Sequence, residues 1–167
     1  MEDELIKMIT NLELNFKDEI TEFINNNYLY HSTLVENIDS IRNEGLRLEN
    51  LNKSRLCPEK FQNLPQVTFA NARNILRVEE GFLLNNLPTE EELSERVILR
   101  VKAENITRRI YSLDYTDNTL DVFIESLDLN IPANILFECI FAQIGTLACY
   151  DTIPFAEIEI IQREQIS

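Results

Sequence analysis

The chain contains a single histidine, and its neighbours give it a chemical setting. His31 follows Tyr28-Leu29-Tyr30 and precedes Ser32-Thr33, closing a short apolar and aromatic run that reads as a strand over residues 28–32. An imidazole at a strand end faces an open edge, where it can contact a ligand. It also reads as a partly buried side chain with a satisfied hydrogen bond. A second candidate is Glu138, inside the apolar run Ile135-Leu136-Phe137-Glu138-Cys139-Ile140-Phe141-Ala142. A carboxylate among apolar neighbours costs free energy unless it is paired or put to use. The bland alternative is the solvent-facing position of an alternating strand.

The elements that must position these groups follow from periodicity. Apolar residues recur at helical spacing over 2–26, from Leu5 to Ile24, and Asn25-Asn26-Asn27 ends the pattern. After the histidine strand, Thr33 with Glu36 has capping-box spacing. Leu34, Ile38 and Ile41 then form one helical face that stops at Gly45. Residues 47–65 are polar, hold two prolines and lack periodicity, so they read as a long loop of the kind that often carries function. Gln66-Val67-Thr68-Phe69-Ala70 is a short strand, and Asn71 can cap a helix running through Arg73, Ile75, Leu76 and Val78. Thr89 to Glu95 reads as an acidic helical turn, and Arg96 to Val101 alternates as a strand. Residues 104–133 are mixed, with a short helix expected at 119–128; Ile135–Ala142 is a strand and Ala156–Ile161 the last one.

This order predicts an α+β fold: a single domain with an N-terminal helical segment over 1–27 and a small mixed or antiparallel β core with interspersed helices over 28–167. The 167 residues suffice for one real core, and 44% are hydrophobic. The formal net charge of -14 disfavours non-specific nucleic-acid binding and suits a basic partner. Cys57, Cys139 and Cys149 have no CxxC spacing, so with one histidine no zinc site is expected. The odd cysteine count and the acidic start Met1-Glu2-Asp3-Glu4 point to a reducing, cytoplasmic setting, and no apolar run approaches a membrane span. Three glycines leave no P-loop and no GxGxxG pattern.

Tyr30-His31-Ser32-Thr33 on a first strand, followed by a helix ending in Gly45-Leu46, resembles the opening of ADP-ribosyltransferase-like domains of the histidine-bearing branch. That branch includes diphtheria-toxin-like and poly-ADP-ribose-polymerase-like transferases, RNA 2′-phosphotransferases and DNA-targeting ADP-ribosyltransferase toxins. Val67-Thr68-Phe69-Ala70-Asn71 is similar to the family's second strand, and Thr152-Ile153-Pro154-Phe155-Ala156-Glu157-Ile158 to a C-terminal segment, so the resemblance covers roughly residues 28–161.

The resemblance implies an ADP-ribosyltransferase fold that uses NAD as substrate and a protein or nucleic-acid acceptor. His31 would hydrogen-bond a ribose, with Ser32 and Thr33 assisting. Phe69 stands where the family has a nicotinamide-stacking tyrosine, with Asn71 and Arg73 beside it in the cofactor-binding set. Arg47, Arg55 and Arg77 are further pyrophosphate candidates, and Glu138 is the expected catalytic carboxylate. The family's Ser-Thr-Ser motif is missing, and Glu157 with Glu159 follows the Ile-Pro, past the expected site. Two alternatives stand beside the enzyme: a catalytically degenerate nucleotide- or protein-binding module of the same fold, and an acidic inhibitor of a basic partner.

Overall fold

The structure is a computed structural model that describes residues 17–53, 57–76, 96–115 and 145–166. The expected elements at Thr89–Glu95, 119–128 and Ile135–Ala142 lie outside these residues, as do Glu138, Arg55, Arg77 and the first part of the N-terminal helix.

Helix α1 spans Lys17–Asn25 and leads into strand β1, Tyr28–Leu34. A 3-10 turn at Val35–Asn37 passes the chain to α2, Ile38–Glu44. Short helix α3, Glu59–Gln62, interrupts the long loop before β2, Val67–Ala70. Then come β3 (Arg96–Lys102), α4 (Ala103–Thr107), β4 (Tyr111–Leu113), β5 (Thr146–Cys149) and β6 (Ile158–Ile161). Among the described residues the six strands form one sheet in the order β4-β5-β2-β1-β3-β6, every neighbouring pair antiparallel. The class is therefore α+β.

Strand alternation divides the apolar residues between two layers. Leu29, Phe69, Leu99, Val101 and Leu147 join Ile24 of α1, Ile38 and Ile41 of α2, and Ile106 of α4 in the main core. Tyr30, Ala70, Ile98 and Ile161 form a smaller cluster on the other side with Ile75. A central strand buried on both faces needs apolar residues at successive positions, and Ile98-Leu99 in β3 supplies them. Helix α1 is tied to the body by Thr107 Oγ1 donating to Asn25 Oδ1 (2.6 Å) and by the Thr21–Tyr111 hydroxyl contact (2.8 Å).

Local expectations change around β1. β1 runs to Leu34, not to 32, because its pairing with β3 continues through Thr33↔Val97 and Leu34↔Arg96. Thr33 is thus a strand residue and not an N-cap: its Oγ1 accepts from Asn37 Nδ2 (3.1 Å), and the following turn begins at Leu34 without a side-chain cap. Seven ladder positions outweigh one capping box. Gly45 does end α2, with φ 79°, and its N–H donates to Ile41 O (2.8 Å).

Candidate functional site

His31 occupies the middle of β1, between β2 and β3, and not a strand end on an open edge. What gives it access is an interruption of the sheet. β1 pairs with β3 over seven positions, but with β2 only at Tyr30↔Ala70. Beyond that position the histidine ring reaches across: His31 Nδ1 lies 2.9 Å from the carbonyl oxygen of Thr68. A carbonyl oxygen only accepts, so Nδ1 carries the proton in this bond.

A cavity of about 430 Å³ opens at this parting of the strands. His31 and Thr33 contribute from β1, Asn37, Ser40 and Ile41 from the turn and α2, and Gln66, Val67 and Thr68 from the start of β2. The segment from Gly45 to Leu51 forms the remaining wall, with Arg47 and Glu49 as its charged members. Its volume falls within the range of small-molecule sites.

The wall is fixed by backbone bonds at both ends. Leu46 N donates to Ile153 O (2.8 Å), and Glu49 exchanges two 2.9 Å bonds with Gln66. Gln66 is fully buried, and its amide is committed on every side. Nε2 donates to Thr68 Oγ1 (3.0 Å) and to Asp114 Oδ1 (3.2 Å), while Oε1 accepts from Lys53 Nζ. One side chain thereby joins the loop, β2 and the residue following β4.

The electrostatics favour an uncharged imidazole. Burial is the largest influence on His31 and lowers its pKa below the ordinary value; the Thr68 carbonyl and Glu49 oppose this, and Arg96 adds to it. A neutral ring with Nδ1–H engaged leaves Nε2 as a hydrogen-bond acceptor. Arg47 is ion-paired with Glu44 at the surface. The lining therefore offers acceptors, a paired cation and one carboxylate.

The candidates divide clearly. His31 and Thr33 share the cleft, as alternate residues of one strand must. Ser32 is absent from the lining and accepts from Arg96 Nε (3.1 Å). Phe69 has no exposed surface; its ring lies 6.0 Å from that of His31, inside the main core. Asn71 is occupied as a cap: its Oδ1 accepts from Asn74 N (2.9 Å), and its own N–H donates to Gly145 O (2.6 Å). Asn71 and Arg73 do not line the cleft, whereas Arg47 does. Glu157 and Glu159 are engaged elsewhere, Glu157 with Arg108 and Arg109, and Glu159 with Arg100. Gln66 and Glu49 are two lining residues that the sequence did not single out as site candidates, Gln66 being read only as the start of a strand. The available signals were a glutamine just ahead of an apolar strand and an acid in a loop already suspected of function.

Among the described residues, no group of His, Cys, Asp and Glu is arranged to hold a metal ion, and no helix is long and apolar enough to cross a membrane. Comparison of the chain with protein-family models, with curated proteins and with solved structures finds no match.

Proposed function

We propose that this protein is an NAD-dependent ADP-ribosyltransferase-like protein whose substrate enters the cleft beside His31. The observation that carries the reading is the state of that histidine. Burial lowers its pKa and so favours the neutral ring, its Nδ1–H is committed to the Thr68 carbonyl, and it lines a cavity of small-molecule size between two parted strands. Such a ring orients a sugar hydroxyl by accepting a hydrogen bond from it at Nε2, and it has no need to act as an acid. Thr33 lines the same cleft, as does Arg47, whose guanidinium is paired with Glu44.

In this reading the bond between nicotinamide and ribose breaks heterolytically. Nicotinamide leaves with the bonding pair, and the ribose passes through an oxocarbenium-like state before an acceptor nucleophile adds and loses its proton. Clamping the substrate and stabilising positive charge supply most of the acceleration. Glu138 remains the proposed catalytic carboxylate on grounds of sequence.

The enclosure of Phe69 favours a second reading, because a ring without exposed surface has no face for nicotinamide. That reading is a module that binds a nucleotide and does not transfer it. Calorimetry with NAD and an assay of nicotinamide release, on the wild type, His31→Ala and Glu138→Gln, separate the two. Binding lost in His31→Ala with release lost in Glu138→Gln supports the transferase. Binding without release selects the module. No binding by the wild type refutes both and leaves an acidic protein that acts on a basic partner.

A further inference from the structure

The cleft's polar groups carry a preference about the sugar that occupies it. Two residues that carry hydrogen-bond acceptors line the same cavity: His31, whose bond to Thr68 through Nδ1 leaves Nε2 as its acceptor, and Glu49. The Glu49 charge acts on His31, and both residues belong to the lining of one cavity. The cleft's cation, Arg47, is already paired with Glu44.

A pair of acceptors complements a group with two donors. Within a nucleotide, an unmodified ribose presents that arrangement in its vicinal 2′- and 3′-hydroxyls. A phosphate on either hydroxyl replaces a donor by a dianion and sets it against the Glu49 carboxylate. We propose that Glu49 is a specificity-determining residue that makes the cleft selective for a nucleotide with a free ribose diol and rejects its 2′-phosphorylated counterpart. This rests on the nucleotide reading of the cleft and adds to it the identity of the sugar and the group that selects it.

Glu49 is exposed at the rim, so water and salt screen the repulsion, and the discrimination is about tenfold rather than many thousandfold. The test is calorimetric titration of the full chain with NAD and with NADP at low and moderate salt, for the wild type, Glu49→Gln and Glu49→Lys. The Glu49 side chain is exposed and its structural bonds to Gln66 are made by the backbone, so both variants keep the wild-type melting temperature. The expected result is that the wild type binds NAD about tenfold more tightly than NADP. Glu49→Gln brings the two affinities together, and Glu49→Lys reverses their order. Equal affinities in the wild type, or a preference that survives in both variants, overturns the role of Glu49 and leaves the nucleotide reading intact. Binding of neither dinucleotide by the wild type overturns the nucleotide reading and this inference with it.

Discussion

Replacing Gly45 by alanine tests the turn on which the cleft wall hangs. Gly45 has φ 79° and ψ 179°, a backbone region that is essentially restricted to glycine. Forcing an L-residue into it costs about 2 kcal/mol. Space adds to the cost: a Cβ at this position would lie 2.6 Å from the carbonyl oxygen of Ile153, which is backbone and cannot swing aside. That oxygen accepts the Leu46 N–H at 2.8 Å, so relieving the clash loosens the bond that starts the wall, for about 1 kcal/mol more. The sum is about 3 kcal/mol, a large fraction of the stability of an ordinary domain. Gly145→Ala is the control. Its φ is also positive, at 66°, but its Cβ would meet the side-chain ends of Asn71 and Asn74, which can turn away. It should cost about 1–2 kcal/mol. Urea unfolding followed by far-ultraviolet circular dichroism, with m-values compared, measures both. A loss below about 1 kcal/mol for Gly45→Ala, or a larger loss for Gly145→Ala, would show that steric fixation of this wall has been misjudged.

Two further changes probe the interior of the site. The His31 imidazole titrates below its ordinary value of 6.5, so the unfolded chain binds the proton more readily. Its contribution is complete above 6.5 and is lost as pH falls from there toward the folded value. Because the chain has one histidine, a fall in melting temperature between about pH 7.5 and about pH 5.5 should shrink in His31→Gln, and the wild-type ring-proton resonance should titrate below the ordinary histidine midpoint; an unshifted midpoint refutes the assignment. Gln66→Leu removes the amide shared by Thr68, Asp114 and Lys53 and should cost about 2–3 kcal/mol in chemical denaturation, because a buried carboxylate loses a donor. A cost near zero would mean that water replaces the amide without penalty.

The parts of the fold legible in the sequence were those written in local patterns. The strand at residues 67–70, the alternating strand that begins at Arg96, and the helix stop at Gly45 all depend on residues within a few positions of each other. The last strand was also visible, although its first residues form a 3-10 turn at Phe155–Glu157. Strands β4 and β5 were not read, because three or four residues carry too little periodicity and both exist through pairing with each other and with β2. Thr33 failed as a cap for the same reason in reverse, since a long-range ladder displaced a good local motif. Gln66 shows the limit most clearly. Its role needs Asp114, forty-eight positions away, and no local pattern reports which strand end will arrive there.

The histidine and the cleft are best understood as one feature. An antiparallel pair that meets at a single position leaves backbone groups to satisfy where the strands part, and a buried carbonyl without a donor is costly. The Thr68 carbonyl receives its donor from the His31 ring, so the side chain takes over the duty of the missing ladder bond. The same bond fixes the ring's tautomer and leaves Nε2 as an acceptor on a residue that lines the cavity. Asparagine or glutamine at this position could satisfy the carbonyl, but neither would leave a ring nitrogen as acceptor. His31→Gln should therefore retain most of the stability lost in His31→Ala while failing to restore ligand affinity. Equal affinities in His31→Gln and the wild type would assign the imidazole to the sheet alone.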